Sequence, residues 1–338
     1  METVVTGLDV PWALAFAPDG RLFVTERPGR LRVVAGGRLQ PEPVATLPVY
    51  ADGESGLMGL ALDPDFARTG HLYVCYTTQQ GSGLVSRALG RGQRTNRLSR
   101  LTLREGRAAD ERVLIDDMPG AWNHDGCRVK FGPDGKLYAT MGDAADPPLA
   151  QRLDSPAGKI HRLEPDGRVP PDNPFARAAD AAPSVWSLGH RNPQGLAWDE
   201  NGRLYASEHG PSGHDEVNLI LPGKNYGWPE VFGRARTPSD RFVDPVAESG
   251  SGDTWAPSGM AFLGGHLYVA ALRGQRLLRM TLGGDGGVQA VTPMFSRTYG
   301  RLRDVVVGPD GALYVATSNR DGRGSPRAGD DRILRVIP

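Results

Sequence analysis

A chain of 338 residues can bury a sizeable core without disulfide staples, and its 45 glycines and 28 prolines favour many short strands joined by tight turns. Thirty-nine basic side chains are matched by 39 acidic ones, which leaves no electrostatic footprint for nucleic acid or an anionic membrane. No apolar run approaches membrane-spanning length, and the segment Met1–Gly7 lacks a signal-peptide core and reads as a strand.

After that strand comes Phe16-Ala17-Pro18-Asp19-Gly20-Arg21-Leu22-Phe23-Val24, in which an apolar residue, a turn and a Leu-aromatic strand opening follow one another. A looser copy ends in Gly70-His71-Leu72-Tyr73. Close copies are Phe131–Tyr138 and Val307–Tyr314, with looser ones at Trp198–Tyr205 and Phe262–Tyr268. The aromatic positions 23, 73, 138, 205, 268 and 314 are spaced by 50, 65, 67, 63 and 46 residues. Each interval holds about four short strands with their connections, the content of one propeller blade.

No amphipathic helix of useful length separates these units, so a parallel α/β fold does not fit. A β-sandwich seldom repeats at so long a period. The reading is an all-β, six-bladed β-propeller of four-stranded antiparallel blades, one domain over residues 1–338. Its ring is expected to close by pairing Thr3-Val4-Val5 with Arg332–Val336. The long middle intervals carry insertions such as Pro170–Pro174, and loops of that kind on a rigid ring tend to carry function. Cys75 and Cys127 lie far apart beside strand-like segments and are expected as buried free thiols.

Four segments ahead of or behind the repeat turns carry reactive groups. Asn123-His124-Asp125-Gly126 offers a histidine able to act as general base. Gly189-His190-Arg191-Asn192-Pro193-Gln194-Gly195 offers donors for a carboxylate or quinone oxygens. In Glu208-His209-Gly210-Pro211-Ser212-Gly213-His214-Asp215-Glu216 the Gly-Pro step leaves backbone carbonyls open to a hard cation, with carboxylates nearby. Arg301-Leu302-Arg303 alternates two guanidiniums onto one side of a strand, and Arg273 enters from the fifth repeat.

Together and in this order, these segments resemble the soluble pyrroloquinoline-quinone (PQQ) aldose and glucose dehydrogenases. The resemblance runs from Pro11-Trp12-Ala13-Leu14-Ala15-Phe16 to the closing strand. It is most specific at Gly189–Gly195 and from Glu208 through Asn225-Tyr226-Gly227-Trp228-Pro229. It implies that His124 removes the proton of the anomeric hydroxyl, and that Arg191 and Asn192 contact the quinone and the reacting oxygen. By the same likeness, the carbonyls of Gly210 and Pro211 hold the cofactor's Ca2+, and Arg301 and Arg303 bind cofactor carboxylates. Glu216 and Tyr226 fall at positions linked to a second, structural calcium.

Three positions depart from the family pattern. Glu54 replaces a cofactor-contacting glutamine, and a carboxylate there tolerates an anionic quinone only if it faces a cation or is protonated. Arg273 stands near a position that is lysine in relatives, and Asn123 occurs where the glucose-specific type has aspartate. The likeness further implies an aldose substrate oxidised at C1 to a lactone, an external electron acceptor, a monomer, and a periplasmic or secreted location. Two rivals remain: a calcium-dependent lactonase-type hydrolase, and a non-catalytic propeller that binds protein or sugar.

Overall fold

The computed structural model describes residues 1–80, 93–235 and 240–337, and arranges them as six antiparallel sheets around a ring, with almost no helix. The first blade opens with Pro11–Phe16 and Leu22–Glu26, and the second with Leu57–Leu62 and His71–Gln80. The third opens with Val129–Phe131 and Leu137–Met141, and the fourth with Pro193–Trp198 and Leu204–Glu208. The fifth and sixth open with Pro257–Leu263 and His266–Ala271, then Leu302–Val307 and Leu313–Thr317. These opening strands lie innermost and pack against those of neighbouring blades. As expected, the ring closes when Glu2–Thr6 pairs antiparallel with Arg332–Val336.

The repeated turn explains itself chemically. Gly20, Gly135 and Gly311 take φ of 85°, 71° and 74°, where a Cβ would be strained although open space surrounds it. One residue earlier, the aspartate side chain accepts the backbone N–H two residues on, as Asp19 does from Arg21 at 3.1 Å and Asp134 from Lys136 at 3.1 Å.

The aromatic that follows each turn joins its blade to the next one. Tyr73 meets Phe131 with ring centroids 5.0 Å apart, Tyr138 meets Trp198 at 5.2 Å, and Tyr314 meets Phe16 at 4.8 Å across the closure. Phe23 packs on Phe66 of the second blade, and the Tyr205 hydroxyl donates to the Gly286 carbonyl of the fifth at 3.0 Å. Tyr268 joins the apolar cluster of the sixth blade. The period in the sequence is therefore a period of inter-blade contacts.

Hydroxyls on second strands repeat the device nearer the hub. Thr25, Thr140 and Ser207 donate to the carbonyls of Met58, Pro193 and Ser258 on the next blade, each within 2.6–2.7 Å. At the centre, the buried Arg128 guanidinium lies 3.1 Å from Asp304 and 4.3 Å from the Trp12 ring centroid. Its Nε donates to the Gln194 carbonyl, while Asp304 also accepts the Leu14 N–H at 2.8 Å. Five blades or their entries thus meet at one ion pair once Lys130, which donates to the Met260 carbonyl, is included.

The cysteines correct the sequence reading. Cys75 and Cys127 form a disulfide across 52 residues, with Cα atoms 5.4 Å apart. The approach to the third blade runs directly over the second, so closely that a Cβ on Gly59 would lie 2.1 Å from the Cys127 carbonyl oxygen. Sequence distance conceals that adjacency.

Two stability measurements follow. Replacing both cysteines with serine should lower the unfolding free energy by about 2–4 kcal/mol, read as a fall in the denaturant midpoint relative to wild type without reductant. Asp304→Ala leaves a buried guanidinium without its counter-charge and should cost about 3–5 kcal/mol in the same measurement.

Candidate active site

The loops that enter first strands and leave second strands meet on one face of the ring, where they enclose a cavity of about 480 Å³. Its lining includes His124 from the entry to the third blade, Arg191 and Gln194 from the fourth, and Arg301 and Arg303 from the sixth. Segments leaving second strands add Arg27, His209-Gly210-Pro211, Arg273, and Asp321 with Arg323. Six guanidiniums thus face three carboxylates, those of Glu54, Asp215 and Asp321.

Several of these cations lack full compensation. Burial pushes Arg27, Arg191 and Arg303 below the usual guanidinium range, Arg303 to about 9 despite nearby Asp321. The buried Nε of each has no hydrogen-bond partner among the described residues. Arg301 donates to Asp321 at 2.8 Å, and Arg303 to Gln194 Oε1 at 2.8 Å with Asp321 3.8 Å away. Arg301 and Arg303 both reach one cavity as expected, but not by regular alternation: the strand begins at Leu302 and its register shifts between Leu302 and Asp304. Desolvated donors left unsatisfied favour a polyanionic ligand, so the lining fits a tricarboxylate.

His124 sits at φ 63°, in the left-handed region uncommon for a residue with a side chain. Gly142 permits this, because a Cβ there would fall 1.8 Å from the His124 carbonyl oxygen. The Nδ1 atom lies 2.7 Å from Asp143 Oδ1, and Asp143 Oδ2 accepts the Trp228 indole N–H at 2.8 Å. With Nδ1–H donated to Asp143, Nε2 is the nitrogen left to accept a proton. The Trp228 ring also lies under the Arg191 guanidinium, 5.2 Å away. His124, Asp143, Trp228 and Arg191 therefore form one contact chain.

Glu54 meets the condition its chemistry sets. Its carboxylate accepts Arg323 Nη1 at 2.7 Å and the His124 backbone N–H at 3.1 Å. Burial acts to raise its pKa, yet it is held below the ordinary carboxylate range. Nearby His209, the Arg323 guanidinium paired with Glu54 and the His124 N–H hold it there.

Asn192 is fully buried and does not line the cavity; its amide accepts the Gly126 N–H at 3.1 Å and donates to Glu54 at 3.3 Å. It stands behind the wall, linking the His124 loop to Glu54. Arg273 and Asn123 both border the cavity.

Gly210 and Pro211 line both this cavity and a smaller one beside it. Neither carbonyl accepts a hydrogen bond from any described residue, whereas Asp215 is committed to the N–H groups of Gly210, Trp255 and Ala256. No trio of His, Cys, Asp or Glu side chains converges among the described residues, so a cation here would depend on those free carbonyl oxygens.

Glu216 and Tyr226 line the smaller cavity. Burial and then the facing Glu208 carboxylate push Glu216 well above the ordinary range. The Tyr226 hydroxyl is already occupied, donating to the Leu219 carbonyl at 2.7 Å and accepting the Leu221 N–H at 2.8 Å.

Sequence reasoning missed Arg27, Asp143, Asp321 and Arg323. A signal existed for two of them. Arg27 and Asp143 fall four and five residues after repeat aromatics, as His209 and Arg273 do. Asp321 and Arg323 belong to an irregular loop with no such register.

Comparison with known proteins places the chain in a family. The Glucose / Sorbosone dehydrogenase family matches residues 8–334. The chain is 35% identical to aldose sugar dehydrogenase YliI of Escherichia coli strain K12, over 100% of this chain and 92% of that one. Against quinoprotein glucose dehydrogenase B of Acinetobacter calcoaceticus the identity is 34%, over 69% of this chain and 52% of the relative. Among solved structures, a glucose dehydrogenase from Thermus thermophilus superposes with TM-score 0.91 at 50% identity, covering 99% of each chain. The PQQ-bound aldose sugar dehydrogenase of Streptomyces coelicolor gives 0.88 at 40% identity, covering 99% of this chain and 96% of that one. The chain belongs to the Glucose / Sorbosone dehydrogenase family.

Proposed function

We propose that this protein is a PQQ-dependent aldose sugar dehydrogenase that oxidises its substrate at C1 to the lactone, with His124 as base. The observation that carries the reading is the cavity itself, in which six guanidiniums outnumber three carboxylates beside a histidine oriented by a carboxylate. Arg301, Arg303 and Arg191 would hold the carboxylates and ring oxygens of the quinone, with Arg273 and Arg323 at the border. The carbonyls of Gly210 and Pro211 would hold Ca2+. When bound, the quinone supplies the two-electron acceptor for hydride leaving C1, and calcium supplies Lewis-acid polarisation beside it.

The chain's own residues supply placement and proton chemistry. His124 Nε2 takes the proton of the C1 hydroxyl. Asp143 holds the ring in the required tautomer and supports the imidazolium that forms. Trp228 fixes Asp143 by its indole N–H and carries Arg191 on its ring face. Arg191, part of the lining, presents positive charge to the cavity interior, where it would stabilise the negative charge that the reaction develops.

A second, structural cation would take Glu216 in the adjoining cavity, with backbone oxygens completing its shell, since Glu208 is held by His190, Asn218 and the Arg191 N–H and the Tyr226 hydroxyl is already paired. The Cys75–Cys127 disulfide fits an oxidising compartment, and a periplasmic or secreted location follows from it as part of this proposal. No helix among the described residues is long and apolar enough to cross a membrane. A lactonase-type hydrolase is disfavoured by a lining that is predominantly cationic, because a metal on the ring axis needs side-chain oxygen ligands.

Reconstitution with PQQ and Ca2+, followed by aldose and a dye acceptor, should give turnover; lactone hydrolysis without quinone would instead favour the hydrolase. In the reconstituted enzyme, His124→Ala should retain quinone binding and lose roughly 10²–10⁴-fold in kcat. Asp143→Asn should lower kcat by roughly tenfold or more with the sugar KM little changed. The double change Arg301→Ala, Arg303→Ala should weaken PQQ about a hundredfold or more, measured by titrating tryptophan emission of the apo-protein.

A further inference from the structure

We propose that Trp122 is a stacking platform for the second ring of a glycosidically linked aldose, forming a subsite at the rim of the cavity in which the first ring reacts. The inference rests on the dehydrogenase reading and adds to it a residue that sets how long a sugar is accepted.

Trp122 is 51% exposed, more than any other large apolar residue described except Ile337 near the C-terminus. An exposed indole is ordinarily mobile, yet this one is held from two neighbouring segments, the entry to the second blade and a loop of the sixth. Its carbonyl accepts the Glu54 N–H at 2.9 Å. Its ring edge abuts Gly53 so closely that a Cβ there would lie 2.7 Å from both Cδ1 and Nε1. The Arg323 guanidinium lies over the ring, 5.2 Å from its centroid, while the same guanidinium donates to Glu54. A fixed aromatic surface left half open to water is the arrangement that a ligand's apolar face can exploit at little entropic cost.

Position supports the assignment. Gly53, Glu54, Asn123, His124 and Arg323 line the cavity; Trp122 is not itself part of that lining, but it touches Gly53, Glu54 and Arg323 and precedes His124 by two residues, which sets it just outside the rim. The lining itself is dominated by guanidiniums and carboxylates, which suit carboxylates and hydroxyls and offer little to the C–H face of a pyranose. At about 480 Å³ the cavity is of single-ligand size, so a sugar ring beyond the one that reacts must extend past the rim. The ring linked to the reacting one would leave past His124, where the indole stands.

The test compares kcat/KM for a reducing disaccharide with that for its monosaccharide, maltose against glucose, in quinone-loaded wild type, Trp122→Ala and Trp122→Phe. The disaccharide-to-monosaccharide ratio should fall roughly tenfold in Trp122→Ala, mainly through KM, and stay within about threefold of wild type in Trp122→Phe. An unchanged ratio in Trp122→Ala overturns the proposal. A change confined to the KM of the dye acceptor assigns the ring to electron transfer and overturns it as well. Wild type that oxidises neither sugar refutes the dehydrogenase reading, and the platform falls with it.

Discussion

The structure depends on a buried ion pair at its hub. Arg128 and Asp304 are almost wholly withdrawn from water, and such a pair costs more to bury the fewer hydrogen bonds it makes besides its own contact. Here the Gln194 carbonyl and the Leu14 N–H, both from other blades, take up Arg128 Nε and Asp304 Oδ2, while Arg128 Nη2 and Asp304 Oδ1 have no partner among the described residues, so the pair is supported only when the inner strands stand in their native order. A ring of weakly specified sheets gains a centre with one permitted arrangement. The same strands that deliver Arg128 and Asp304 to the hub carry His124, Arg301 and Arg303 to the open face above it. Placement of the groups lining the cavity is therefore inherited from the packing of the centre.

Above the hub the logic reverses. Arg303 is buried and Arg27 and Arg191 half-buried, each with a shielded Nε that lacks a partner among the described residues, which disfavours their charged forms in the free protein. Water-poor cationic groups attract an anion more strongly than exposed ones. The ion pair between Glu54 and Arg323 partly offsets this field and ties the second blade to the sixth across the mouth.

What could be read from the sequence was whatever repeats or alternates. Phe23, Tyr73, Tyr138, Tyr205, Tyr268 and Tyr314 announced six blades because each aromatic does the same job between neighbours. The two-residue spacing of Arg301 and Arg303 reads as a shared side, and they do share the cavity, although Arg301 precedes the strand and a register shift falls at Arg303. The disulfide and Asn192 were less legible. Cys75 and Cys127 become neighbours through a loop crossing between blades, and whether Asn192 faces the cavity or the wall depends on a turn beside the bulge between Pro193 and Gly195. Glu54 carried a legible requirement, a facing cation, but its partner is 269 residues away.

The closure of the ring has a consequence for the chemistry above it. Asp321 and Arg323 lie on the connection between Leu313–Thr317 and Arg332–Val336, and the latter strand is completed by Glu2–Thr6. Leu8 and Asp331 exchange backbone hydrogen bonds at 3.2 Å, and Asp331 in turn receives the Asn319 N–H. The opening residues of the polypeptide thus brace, from the outer edge of one sheet, the loop whose acid and base heads sit at the mouth. Fraying at the amino terminus would be felt as slack in the ligand cradle, far from where the damage began.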